Sequence, residues 1–134
     1  MDTASKILIV GGVLNIAYGL LTGIPAGMIR QNSPTYSKYL RFVHIGALMW
    51  GPILISLSLA MALSTLDASV ETLAAWLMVG ASFLLDLKDT LNWLQGVQDE
   101  FGEKKQLPLI LGGLSGLMAL VGIGIILVGV VQGL

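Results

Sequence analysis

The sequence has no cysteine and a single histidine, and aspartate, glutamate, lysine and arginine together make up only 11% of its 134 residues. Without cysteine there can be no disulfide, no thiolate zinc site, no iron–sulfur cluster and no thiol nucleophile. The scarcity of charge excludes more. A soluble domain carries roughly a quarter charged residues, whereas this chain is 55% hydrophobic with a mean hydropathy of +0.86, the composition of a membrane protein. Basic residues are too few and too scattered between apolar segments for a nucleic-acid-binding surface, and the net charge is −1. A phosphate-cradling loop is also missing: the glycine-rich GLSGLMALVGIG, Gly113 to Gly124, lies inside an apolar run and follows no strand.

What is present is length without charge. Apolar runs predict four helices over residues 7–29, 42–66, 72–97 and 107–132, each able to cross ~30 Å of hydrocarbon. The expected fold is therefore an all-α, four-transmembrane-helix bundle forming one domain. The first run is too long for a signal-peptide core, begins acidic and lacks a cleavage site, so it is expected to remain as a span. The third contains Asp86, Lys88 and Asp89, yet its helical periodicity continues past them. Lipid does not tolerate irregular backbone, so it reads as one helix. Arg30, Lys38 and Arg41 fall in the first loop and Lys104 and Lys105 in the third, while the second has only Asp67 and Glu71. The positive-inside rule then puts loops one and three on the cytoplasmic side of a bacterial inner membrane and both termini opposite, with Lys6, Asp99, Glu100 and Glu103 running against that bias.

Small residues recur at every fourth position in the first helix, Gly19, Gly23 and Gly27, and Gly112 and Gly116 start a similar row in the last that continues through Ala119. Such rows let backbones approach within lipid, and ordinary contact inside the chain explains them as readily as a dimer face. Because four helices enclose little space, a ligand site would lie at a subunit boundary of a homo-oligomer.

Ionisable side chains in a span cost roughly 2.5–3.5 kcal/mol each, so Asp86, Lys88 and Asp89 need pairing, water or a ligand. Asp86, Asp89 and Asn92 recur every third residue and share a face beside Thr90 and Trp93. Two readings stay open: an internal Asp/Lys pair locking the third helix to its neighbours, and a functional polar cluster. Asn15, Tyr18 and Thr22 form a similar polar face on the first helix, whose simplest role is interhelical hydrogen bonding.

His44 stands just inside the second span, in RFVHIGALMWG. One histidine without cysteine cannot build a zinc site. It does suffice as an axial ligand of haem, whose porphyrin supplies four nitrogens; a hydrogen-bonded structural histidine is the alternative. No serine or threonine has a base at a credible offset for nucleophilic catalysis.

The YGLLTGIP end of the first helix, Tyr18 to Pro25, and HIGALMWG, His44 to Gly51, in a short four-span chain resemble the integral-membrane isomerases that include hydroxylaminobenzene mutase and styrene oxide isomerase. The resemblance implies that His44 is the metal ligand of haem b, with Gly46, Trp50 and Gly51 in the cofactor-binding segment. Leu84 to Asp86 is similar to a Leu-Asp of the family's third helix, which adds Asp86, with Asp89 and Asn92 on its face, as candidate catalytic residues. It also implies ferric haem acting as a Lewis acid on a small apolar aromatic substrate reaching the site from the lipid bilayer, a hydroxylamine rearranged to an aminophenol or an epoxide to an aldehyde. Trp50 stands where styrene oxide isomerases have asparagine, Leu94 falls where they have tyrosine, and no histidine lies near Lys6 or Leu8, as one does in the mutases. A non-catalytic four-helix accessory protein or small transporter, with a structural Asp/Lys cluster, is the competing reading.

Overall fold

The structure, a computed structural model, describes residues 1–134 and contains four helices and no strand: α1 (Thr3–Asn32), α2 (Lys38–Met61), α3 (Ala68–Leu94) and α4 (Gln106–Gly133). All four are long and apolar enough to cross a membrane, as expected of an integral membrane protein.

Local chemistry sets their ends. Asp2 caps α1, accepting the Ser5 N–H at 2.6 Å, so the helix starts earlier than the apolar run suggests. The Ser37 hydroxyl accepts the Tyr39 N–H at the start of α2. That helix stops at Met61, five residues before the expected end at residue 66, because Ala62, Leu63 and Ser64 each donate back three residues in a tight turn. α3 ends at Leu94 rather than 97. Gly96 turns left-handed at φ 66, Val97 N–H returns to the Asn92 carbonyl and Gly96 N–H to that of Trp93, the Schellman pattern. Pro108 sits in the first turn of α4, where its missing N–H is not needed.

α3 is the hub. It packs against α1, α2 and α4, while α1 and α2 form an intimate pair, and α4 lies on α3, grazes α2 and does not touch α1. The apolar core, with Leu8, Leu54, Ala75, Met78, Val79 and Ile126, occupies the half of the bundle near the termini. At that end Ser5 donates to the Ser58 carbonyl and Gly133 abuts Leu63. The opposite half is threaded by polar side chains. There the first turn of α2 meets the α3–α4 loop, the Tyr39 hydroxyl accepting the Glu100 N–H at 2.9 Å. Large apolar residues such as Leu20, Leu21, Leu120 and Leu127 cover the outside, as a lipid-facing surface requires.

Candidate functional site

His44 lies in the second turn of α2 and turns toward α1, its Nδ1 2.7 Å from the Gly19 carbonyl oxygen. A carbonyl only accepts, so Nδ1 carries the proton and the lone pair is on Nε2. The ring lies over Gly23, where an added Cβ would come within 2.7 Å of its Cε1. Gly12, Gly19 and Gly23 are thus contact points of α1 with α2, facing Gly51 and Ile55, Leu48, and His44 respectively. Gly27, which continues the row, faces open space.

The cofactor-segment candidates separate. Gly51, seven residues from His44, shares its side of α2 and packs on Gly12 and Ile16. Gly46 points elsewhere, about 200° round the helix, with nothing within 4 Å of an added Cβ. Trp50 packs against the apolar core. No convergent group of histidine, aspartate and glutamate side chains able to hold a bare metal ion exists, so His44 is an isolated donor.

The polar face of α3 divides in the same way. Lys88 Nζ lies 3.2 Å from Asp89 Oδ1 and 3.0 Å from Glu100 Oε1, and Asn92 Nδ2 donates to Glu100 Oε2 at 2.6 Å. With Tyr39 holding the Glu100 backbone, these residues lock α2, α3 and the α3–α4 loop together. Asp89 and Asn92 therefore belong to a lock, although Asp89 Oδ1 meets Lys88 only as an ion pair without a hydrogen bond and the Asn92 Oδ1 has no partner. Asp86 stands apart. The residue is 5% exposed, its carboxylate makes no hydrogen bond or ion pair, its Oδ2 is buried without a partner, and it lines a cavity of about 430 Å³ between α1 and α3 together with Leu14, Tyr18, Leu21, Phe83 and Leu87. Tyr18 is spent on Thr90, at 2.6 Å, and Thr90 donates to the Asp86 carbonyl. Deeper, Asn15 donates to Ser82 at 3.0 Å, the interhelical bond expected of it.

His44 does not line the Asp86 cavity. The imidazole contacts the Gly19 and Gly23 side of α1, and the cavity lies on the flank bearing Leu14, Tyr18 and Leu21, so within one copy the two face different sides of that helix. Glu100, the centre of the lock, is invisible to sequence reasoning. It reads as one of several acidic loop residues, and only the Gly96 turn carries it back under Asn92.

No protein-family model, curated protein or solved structure matches the chain.

Proposed function

We propose that the chain is an integral-membrane isomerase that holds haem b through His44 and rearranges a small aromatic hydroxylamine or epoxide within one molecule. The observation that carries this reading is the His44–Gly19 contact, which a purely structural histidine shares, together with an Nε2 that has no protein partner. Metal-bound histidines commonly donate their second nitrogen to a carbonyl, which fixes the tautomer and aims the ligating lone pair, and His44 has that arrangement with Nε2 free of any protein bond. The donor chemistry fits, because one imidazole is sufficient for haem. When bound, ferric haem supplies a Lewis acid for a substrate oxygen without net oxidation.

The chain's own contributions follow from the residues. Gly19 orients the imidazole, and Gly23 leaves space for it. Exposed Phe42, Ile45 and Met49 keep the outward face of α2 apolar, away from the side on which His44 meets α1. None of the five main cavities of a single copy is lined by His44, so a homo-oligomer with haem near subunit interfaces is the arrangement that would enclose the cofactor. Of the three candidate catalytic residues, Asp86 is the one that lines a cavity and whose side chain makes no hydrogen bond or ion pair; Asp89 and Asn92 act as positioning residues through the lock. The basic loop end would face the cytoplasm of a bacterial inner membrane.

Protein purified in detergent should show a Soret band, and His44→Ala should abolish or strongly diminish it. A colourless preparation with no haem in a pyridine extract would end this reading. The Lys88–Asp89–Glu100–Asn92 network favours a second one, a non-catalytic accessory protein or a small ion-relaying transporter. It predicts no chromophore and, for a transporter, proton-coupled flux in vesicles that Asp86→Asn slows; unchanged flux would exclude transport.

A further inference from the structure

The groove between α1 and α3 contains a polar atom that the rest of the molecule does not use. Asp86 is 5% exposed, and its Oδ2 has no partner. The one cation on its helix, Lys88, is turned to Asp89 and Glu100, and the Tyr18 hydroxyl is bonded to Thr90. Every other residue against which Asp86 opens is apolar or aromatic, and Leu14, Leu21 and Leu87 leave the groove open to the outside of the bundle, which in a membrane is lipid.

Buried carboxylates are ordinarily paired, because an uncompensated charge in apolar surroundings is strongly unfavourable. Here the protein supplies apolar walls, two aromatic rings and one acceptor, but no donor. The volume, about 430 Å³, lies within the range of small-molecule sites, which combine apolar lining with very few polar anchors. The complementary molecule has a flat apolar body and a single cationic donor.

We infer that the α1–α3 groove binds a small lipophilic aromatic amine taken from the bilayer, its ammonium group donating to the Asp86 carboxylate and its ring lying among Tyr18, Phe83 and the leucines. This goes beyond the isomerase reading and does not require haem, so a colourless protein that binds the amine would remove that reading and leave this one standing.

The test uses 1-naphthylmethylamine as fluorescent probe on the detergent-purified chain, with empty micelles subtracted. 1-Ethylnaphthalene is the donor-free match and 1-naphthylmethanol the uncharged donor. The amine should bind at least about tenfold more tightly than either control, as expected for a hydrogen bond between charged groups. Asp86→Leu should erase that preference. Asp86→Asn, nearly isosteric and with no side-chain bond to lose, carries the same expectation if the leucine variant fails to fold. Leu21→Trp, which fills the groove from α1 and leaves Asp86 in place, should block the amine. Equal binding of all three probes marks a groove for acyl chains and overturns the proposal, as does alcohol binding as tight as amine. A groove that takes no probe, with Leu21→Trp lowering the oligomer mass, is an interface between copies and overturns it too.

Discussion

Gly23 is where the placement of His44 can be tested most sharply. A Cβ at this position would stand 2.7 Å from Cε1, 3.0 Å from Nδ1 and 3.6 Å from Nε2 of the imidazole. Carbon atoms pack comfortably at about 3.5–4.0 Å, so in Gly23→Ala the ring must retreat by nearly 1 Å. It cannot do so freely, because the Gly19 carbonyl that holds Nδ1 at 2.7 Å lies one turn away on the same face of α1. Overpacking of this kind costs about 1–3 kcal/mol, and a lost hydrogen bond inside a membrane bundle adds about 0.6 kcal/mol. Alanine itself repays roughly 0.5–1 kcal/mol in helix propensity. Gly27→Ala provides the control, since its Cβ meets nothing within 4 Å and only the helix gain applies. The two variants should therefore differ by about 1–3 kcal/mol, Gly27→Ala being neutral or stabilised. Thermal unfolding in detergent, followed through the fluorescence of the three tryptophans, measures this directly. In haem-loaded protein the Soret band should shift or weaken in Gly23→Ala alone. Equal stability of the two variants would show that the imidazole does not lie over Gly23.

Glu100→Gln should destabilise the bundle by about 1–3 kcal/mol, because the charge opposite half-buried Lys88 is lost and the single amide oxygen accepts from Lys88 or from Asn92 but not from both; denaturant unfolding that matches wild type would remove the lock. Tyr39→Phe should act in the same direction by leaving the buried Glu100 N–H without its acceptor, visible as faster amide exchange in the α3–α4 loop. At the other end, the Ser5 backbone N–H holds the Asp2 carboxyl below its ordinary value. A depressed folded-state value means that the cap stabilises above the ordinary carboxylate range and is lost as pH falls through the depressed value. The Ser5 amide shift should titrate with a midpoint below that range, and a midpoint at or above it would contradict the cap.

The helices were legible because lipid forces a long uncharged run to be helical, and the fold adds only capping at their ends. Asp2 and Ser37 extend α1 and α2 backwards, and Gly96 cuts α3 short with a left-handed turn that a hydropathy pattern does not weigh. Lateral arrangement was not legible. Gly19 and Gly23 announce a close contact, but the side chain that fills it, His44, depends on the register between two helices. In α4 a similar row gives Gly112 against Lys88 and Gly116 against open space. Asp86, Asp89 and Asn92 share a face by periodicity, and that face is real. Their division into one free carboxylate and two lock members is decided by Glu100, which arrives from a loop.

That division bears on how the isomerase reading could work at all. His44 contacts one side of α1 and the Asp86 groove opens on another, so a single copy does not present both groups to one substrate. If both serve the same reaction, His44 of one copy must meet the groove of a neighbour, and neither residue need be intact in every copy. Protein with His44→Ala in all copies and protein with Asp86→Leu in all copies should each fail to convert an aromatic hydroxylamine to its aminophenol. Co-expressed, the two chains should regain a clear fraction of wild-type turnover, because mixed assemblies contain boundaries at which an intact histidine faces an intact aspartate. Independent sites give a different pattern: Asp86→Leu alone stays active, and mixing only dilutes the wild-type histidine. Inactivity in both the separate and the mixed preparations would place the two groups in one catalytic unit within a copy, contrary to the side-chain directions on α1.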